Sequence, residues 1–183
     1  MKRKKLLDLL EQYSPVNEEI RYKADILAFV HKYEECFERS LEIGHITSSA
    51  WLLNKEGSKV LLTHHAKLNR WLQLGGHCDG DPDVLRSALR EAREESGIEA
   101  IEPVQTNIFD IDIHPIPETA KEKAHFHYDV RFLLRVTSDE KFTVSKESKQ
   151  LRWVGKDPSE WPTDEFSMLR LFRKWKELRS CVS

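Results

Sequence analysis

Three glutamates stand close together near the middle of the sequence, at Glu91, Glu94 and Glu95. On a helix, about 100° of rotation per residue places these i, i+3 and i+4 positions on one arc of the surface. Like charges at this spacing disfavour an isolated helix by about 0.2 to 0.5 kcal/mol per pair. The pattern fits either a solvated helix, with Arg90 and Arg93 pairing with the glutamates, or a site for a hard divalent cation that prefers carboxylate oxygen.

A longer segment that contains these glutamates resembles the signature of the Nudix hydrolase family, G-x5-E-x7-R-E-U-x-E-E-x-G-U, in which U is an aliphatic residue. Eight of the nine specified positions match when alanine is accepted as aliphatic. Pro82 departs from the signature because it stands where the first glutamate is expected, although Asp81 and Asp83 flank it. The matching residues are Gly76, Arg90, Glu91, Ala92, Glu94, Glu95, Gly97 and Ile98.

The resemblance implies an enzyme that uses Mg²⁺ or Mn²⁺ to hydrolyse a nucleoside diphosphate linked to another group. Glu94 and Glu95 would be the principal metal ligands, and the backbone carbonyl of Gly76 would be another. Glu91 would be a further ligand or the general base, and Arg90 would orient it through a charge-assisted hydrogen bond. A metal suits this chemistry because it neutralises the diphosphate charge that repels hydroxide and stabilises the leaving oxygen.

In some Nudix enzymes the general base lies in a loop outside the signature. Here Glu147, which precedes a predicted strand over 151–154, is the second candidate after Glu91. Glu118 and Glu122 are further candidates, although an ordinary exposed loop carboxylate is the favoured interpretation for each of these three.

The predicted substrate-binding residues lie close to the glycine turn. His77 follows Gly76 directly, although a water-exposed turn histidine fits this position equally well. Trp71 precedes the turn and is the tryptophan best placed to contact a ligand, but a core position is favoured for it, as for most of the five tryptophans. Arg70 is one of several basic residues available to bind phosphate, and the sequence does not select among them; the others are Lys67, Arg131 and Arg152.

His125, His127 and Asp129 alternate along one predicted strand and therefore share a face. A nitrogen-rich metal site is one interpretation of this pattern. The favoured interpretation is an ordinary strand whose polar residues point outward, opposite Phe126 and Tyr128.

The periodicity around these residues predicts an α/β/α sandwich with a mixed sheet, preceded by two N-terminal helices. We expect a helical extension over 1–43 and a Nudix domain over 44–183. Asp81 is predicted to cap a helix that begins at Pro82 and ends before Gly97. Strands are predicted over 45–54, 59–65, 71–74, 104–113, 126–136, 142–144 and 151–154, and a final helix over 165–178.

Composition and charge exclude several classes of binding protein and of cysteine-based site. The chain has 183 residues and a formal net charge of −2, so non-specific binding of nucleic acid is not expected. Its three cysteines form no C-x-x-C pair and predict neither a disulfide framework nor a cysteine zinc site; they are Cys36, Cys78 and Cys181. The absence of an apolar signal core or membrane span predicts a cytoplasmic protein. A homodimer formed through the N-terminal helices is a weaker hypothesis.

Two alternatives to hydrolysis remain open at this point. A Nudix-like module that binds or senses a nucleotide without turning it over is favoured by Pro82. An isomerase of the isopentenyl diphosphate kind shares the fold, but the sequence does not clearly match its cysteine and histidine metal arrangement.

Overall fold

The computed structural model of the chain describes residues 2–120 and 122–178. Within these ranges it contains four α-helices and eight strands, which confirms the predicted mixed α/β class. The helices are α1 (Lys4–Gln12), α2 (Glu19–Lys32), α3 (Val84–Ser96) and α4 (Phe166–Glu177). The strands are β1 (Gly44–Leu53), β2 (Lys59–His65), β3 (Trp71–Leu72), β4 (Leu74–His77), β5 (Ile101–Pro103), β6 (Asp110–Ile116), β7 (His125–Val136) and β8 (Ser148–Gly155).

The strands follow the order β3-β2-β1-β7-β5 in the sheet, with β4 paired to β1, β6 to β7 and β8 to β2. The chain forms two compact units, each built from three separate stretches. The first unit comprises Met1–Ser49, Gly76–Ala88 and Thr106–Phe132. The second unit comprises Ala50–Gly75, Leu89–Gln105 and Leu133–Ser183.

In the first unit, β6 and β7 run antiparallel, with a register from Asp110↔Arg131 to Ile116↔His125. Helix α2 packs there through Phe29, whose ring stacks on that of Tyr128 at a centroid distance of 4.0 Å. Helix α1 buries Leu6 and Leu10 completely. The two predicted N-terminal helices therefore exist and pack into this unit, while the predicted domain boundary between residues 43 and 44 stays a prediction.

A buried charged network crosses β6 and β7 in the first unit. Arg131 is 2% exposed and forms ion pairs of 2.8 to 3.2 Å with Asp110, Asp112 and Asp129. Asp129 also accepts hydrogen bonds from side chains of β1, those of Thr47 and Ser49. Burying these charges is tolerable because each is paired and hydrogen-bonded. Arg131 is therefore a structural residue and is not available to bind phosphate, contrary to its inclusion among the candidates.

The prediction that the polar residues of β7 point outward is wrong, although Val130 and Phe132 on the opposite face are completely buried, as expected. His125, Asp129 and Arg131 are at most 9% exposed, whereas Phe126, expected to point inward, is 45% exposed. The polar face of this strand is buried because partners on other strands satisfy its charges, an outcome that alternation of polar and apolar residues does not reveal.

In the second unit, β8 pairs along the length of β2, from Lys59↔Gly155 to His65↔Ser148, and β3 pairs with the other end of β2. Trp51 is completely buried and meets Phe172 of α4 edge to face at a centroid distance of 5.0 Å. The core position expected for most tryptophans is thus confirmed for Trp51 and for Trp175, which is 1% exposed.

Several predicted boundaries differ from the structure. The expected strand over 104–113 is replaced by β5 and β6, which lie on either side of an irregular stretch, and residues 142–144 form no strand. Cys36 and Cys78 are buried, whereas Cys181 lies outside the described residues. Among the described residues, no helix is both long and apolar enough to cross a membrane.

Candidate functional site

Helix α3 carries the three glutamates, and local sequence signals fix both of its ends. It begins at Val84, two residues later than predicted, because Asp83 rather than Asp81 accepts the backbone N–H of Arg86 at 3.2 Å. It ends at Ser96, before Gly97 as predicted, and Gly97 has a positive φ of 70° while its N–H donates to the carbonyl of Arg93 at 2.7 Å.

Glu95 is the most buried of the three glutamates, with 7% of its surface exposed. Its Oε1 accepts a 2.7 Å hydrogen bond from the backbone N–H of Gly75, and among the described residues it has no ion-pair partner. Burial raises the pKa of the Glu95 carboxyl to about 8, and the charges of Glu91, Glu147 and Glu94 add to the rise. A carboxyl group in such surroundings is costly to ionise unless a cation lies beside it.

Glu91 lies partly buried on the same helix, with 14% of its side chain exposed. Burial raises the pKa of the Glu91 carboxyl, although a 2.8 Å hydrogen bond donated by Arg90 Nη2 opposes the rise. Arg90 Nε lies 3.9 Å from Glu94 Oε1, and the Glu94 side chain is 64% exposed. Arg90 thus contacts Glu91, while Glu94 lies mostly in solvent, and the orienting role that the signature implies for Arg90 stays a prediction.

The other predicted site residues of the second unit are one exposed acidic residue, one stacked tryptophan and one arginine in an ion pair. Glu147 is an exposed loop residue, but its charge raises the pKa values of both Glu91 and Glu95. Trp71 stacks on His64 at a centroid distance of 5.1 Å. Arg70 forms a 2.7 Å ion pair with Glu165. Their roles in catalysis and substrate binding stay predictions.

Pro82 and its flanking aspartates belong to the first unit. Asp81 accepts hydrogen bonds of 2.6 and 2.7 Å from Arg86, and Asp83 pairs with Lys5 at 2.6 Å. Each of these carboxylates is therefore already neutralised by a cation of this chain. Neither provides an unpaired charge in place of the glutamate that the Nudix signature has at position 82.

A group of histidines forms a second candidate site, entirely within the first unit. His45 on β1, His77 on β4 and His127 on β7 each offer a ligand atom, and these three atoms lie within 4.8 Å of one another. Among the described residues, this is the one group of three or more potential ligand side chains that lie close enough to hold a metal ion. The ring centroids are 4.8 to 5.1 Å apart.

Burial lowers the pKa of His45 to about 4, and the neighbouring His77 and His125 lower it further. The pKa of His127 is also lowered, again mainly by burial and then by the surrounding histidines, with His114 contributing most among them. These rings are consequently neutral at physiological pH.

Sequence reasoning missed His45 as a site residue. It is 3% exposed and begins an alternating series on β1, since His45, Thr47 and Ser49 share one face. This alternation was the available signal, because it matches the alternation of His125, His127 and Asp129 on β7. Asp129, which was considered with the histidines, instead belongs to the network of Arg131.

Comparison with known proteins agrees with the signature on α3. The family model of the NUDIX domain matches residues 44–167. The chain therefore belongs to the Nudix family.

Among curated proteins, a "Probable DHNTP pyrophosphohydrolase" of Lactococcus lactis subsp. cremoris (strain MG1363) is 34% identical over 96 residues. The alignment covers 51% of this chain and only 55% of that relative.

Solved structures share the fold at lower identity. A MutT protein from Methanosarcina mazei Go1 has a TM-score of 0.56 at 20% identity, covering 74% of this chain and 95% of its own. The binary complex of a C. elegans Ap4A hydrolase has a TM-score of 0.53 at 21% identity, covering 72% of this chain and 94% of its own. The E. coli dihydroneopterin triphosphate pyrophosphohydrolase has a TM-score of 0.54 at 13% identity, covering 70% and 92%.

Proposed function

We propose that this protein is a pyrophosphohydrolase that requires Mg²⁺ or Mn²⁺ and cleaves a phosphoric anhydride bond of a nucleoside-diphosphate-linked substrate. The main support is Glu95, a buried carboxylate without an ion-pair partner among the described residues, in the electrostatic field of Glu91, Glu94 and Glu147. Membership of the Nudix family and the pyrophosphohydrolase named among its relatives support the same reaction.

The donor set suits a hard divalent cation, because it offers carboxylate oxygens and lacks imidazole and thiolate. Glu94 and Glu95 would hold the ion, with Glu91 and the carbonyl of Gly76 as further ligands. When bound, the ion supplies neutralisation of the phosphate charge and stabilisation of the leaving oxygen.

Other residues of the chain would transfer the proton, orient the base and bind the substrate. Glu91 is the first candidate for the base that takes a proton from the attacking water, and burial raises the pKa of its carboxyl above the ordinary value, which makes it a stronger base. Arg90 would hold the Glu91 carboxylate in place through their 2.8 Å hydrogen bond. Glu147 is the second candidate for the base, and His77, Trp71 and Arg70 are proposed to contact the substrate.

The test is a substrate panel assayed with Mg²⁺ and with Mn²⁺, with products separated by chromatography. It comprises nucleoside triphosphates, ADP-ribose, dinucleoside polyphosphates, sugar nucleotides, coenzyme A and dihydroneopterin triphosphate. For a cleaved compound, Glu94→Gln and Glu95→Gln should each reduce kcat/KM at least about 100-fold, because several kcal/mol of transition-state stabilisation depend on the ion. Glu99→Gln, which alters an exposed glutamate just beyond α3, is the matched control and should leave kcat/KM within about twofold.

The competing function is a module that binds nucleotides without hydrolysing them. It is favoured by Pro82 together with the ion pairs of Asp81 and Asp83, which leave the position of the first signature glutamate without a replacement. Tight, metal-dependent binding of a panel compound without cleavage would establish this alternative. Full activity in Glu94→Gln and Glu95→Gln would contradict the proposed ion site itself.

A further inference from the structure

The geometry points to a second metal site, in which His45, His77 and His127 bind a borderline divalent transition metal such as Zn²⁺. This site differs in chemistry from the carboxylates of α3, because imidazole nitrogen suits zinc and its neighbours, whereas carboxylate oxygen suits Mg²⁺ and Mn²⁺. All three ligands belong to the first unit.

The separation of the ligand atoms supports the assignment. Zn–N bonds of about 2.0 to 2.1 Å at tetrahedral angles place two ligand nitrogens about 3.4 Å apart. The ligand atoms of His45, His77 and His127 all lie within 4.8 Å of one another. The largest separation therefore exceeds the value for a bound zinc ion by at most about 1.4 Å, a difference that the side chains have to close when the ion binds.

His45 provides an independent indication of a ligand. It is 3% exposed, and within the described residues neither Nδ1 nor Nε2 makes a hydrogen bond of normal geometry, although both atoms are buried. A buried polar group that lacks a hydrogen bond costs about 1 to 3 kcal/mol, and such groups are rare in folded proteins. A metal ion bound by one ring nitrogen of His45 removes part of this cost. An apolar side chain at position 45 would carry no such cost, so the presence of histidine there favours a ligand.

Hydrogen bonds around His127 favour one assignment of its protons. His125 Nδ1 lies 2.8 Å from the carbonyl oxygen of Lys123, which only accepts, so neutral His125 carries its proton on Nδ1. Its bare Nε2 then accepts from His127 Nε2 at 3.3 Å, which leaves Nδ1 of His127 unprotonated. The proposal therefore takes Nδ1 of His127 as the metal ligand. Metal-binding histidines commonly donate their other ring N–H to a fixed partner, and His125 would be that partner and thus a positioning residue.

Three protein nitrogens leave a fourth position of a tetrahedral ion open. Zinc sites with this ligand count bind water or a ligand oxygen at that position, whereas purely structural sites are closed by four protein ligands. The proposed site is accordingly one that can bind an exogenous oxygen ligand.

The test uses the whole 183-residue chain, freed of metal by dialysis against a chelator and titrated with zinc chloride in competition with a chromogenic chelator. The wild type should bind one Zn²⁺ per chain at this site. His77→Ala and His127→Ala should each weaken binding at least about 100-fold, and His125→Ala about 10- to 100-fold, the range found for residues that orient a metal ligand. Cobalt added to the wild type should give the visible absorption of a tetrahedral ion, and this absorption should be lost in His77→Ala.

Two controls separate this site from its alternatives. His31→Ala alters an exposed histidine of the same unit and should not change the zinc affinity. Glu94→Gln, which alters the proposed Mg²⁺ site, should not change it either. His45 is the most deeply buried of the three ligands, so His45→Ala is the variant with the greatest risk of misfolding. The test therefore relies on His77→Ala and His127→Ala, whose side chains are less deeply buried. Absence of zinc binding by the wild type, equal affinity in His77→Ala and His127→Ala, or loss of binding in Glu94→Gln would each overturn the proposal.

Discussion

Replacing Glu95 with glutamine should stabilise the metal-free protein at alkaline pH while abolishing hydrolysis. The carboxyl is 7% exposed and accepts the Gly75 N–H at 2.7 Å. Glutamine has nearly the same shape and retains an oxygen that accepts this bond. The substitution therefore removes the buried negative charge and keeps the packing and the hydrogen bond.

The size of the effect follows from the pKa of Glu95, which burial and the neighbouring carboxylates raise from 4.5 to about 8. A raised carboxyl pKa means that the folded state binds the proton more tightly than the unfolded state. Stability is therefore lost as the pH rises above 4.5, and the loss is complete near pH 8. At about 1.4 kcal/mol per pH unit, the stability lost on ionisation of Glu95 is at most about 5 kcal/mol. We therefore expect Glu95→Gln to raise the free energy of unfolding by about 2 to 5 kcal/mol at pH 8.

The assay is urea unfolding at pH 5 and at pH 8 in the presence of a chelator. Glu95→Gln should gain only about 1 kcal/mol over wild type at pH 5, where the carboxyl is protonated in the folded state and has lost most but not all of its protons in the unfolded state. Glu94→Gln is the matched control, since its side chain is 64% exposed and its charge is already solvated, so its stability should change by less than about 0.5 kcal/mol. Magnesium chloride should stabilise the wild type more than Glu95→Gln. A gain at pH 8 no larger than that at pH 5 would refute the reasoning.

Two further substitutions test the fold by chemical denaturation. Arg131→Met should lower the free energy of unfolding by about 3 to 5 kcal/mol, because it leaves three buried aspartates without their cation. Arg135→Met, on the same strand, is the control. An equally small loss of stability in both variants would show that the network is not needed for folding. Gly97→Ala should cost about 1 kcal/mol for a positive φ of 70°, and more because its Cβ would lie 3.1 Å from that of Thr143. Gly57→Ala has the same φ and open space around it, so equal losses in the two alanine variants would exclude an effect of the Thr143 contact.

The sequence predicted those parts of the molecule that depend on local pattern. The end of α3 at Gly97 was predictable because a glycine with positive φ after an amphipathic stretch is a local signal. The contact between Arg90 and Glu91 was implied by the Nudix signature. The strand over 59–65 was predicted with its true bounds, since a turn at residues 55–58 precedes an apolar run.

Features that depend on distant partners were not predictable in this way. The inward direction of Arg131 depends on three aspartates, two of which lie about twenty residues away on another strand. The histidine cluster depends on three separate strands meeting, and only its β7 member was considered beforehand as part of a metal site. The start of α3 lies at Val84 because Asp83 accepts the backbone N–H of Arg86, while Asp81 accepts the N–H of Asp83 in the turn that precedes the helix.

The division of the first unit into three stretches has a consequence for biosynthesis. Its last stretch ends at Phe132, so a ribosome must release most of the chain before the partners of α1 and α2 are all available. Until then the ring of Phe29 lacks Tyr128, against which it finally stacks, and Arg131 has not yet joined its aspartates. The nascent N-terminal helices thus pass through an interval with uncovered apolar surface, the condition under which molecular chaperones engage a growing polypeptide.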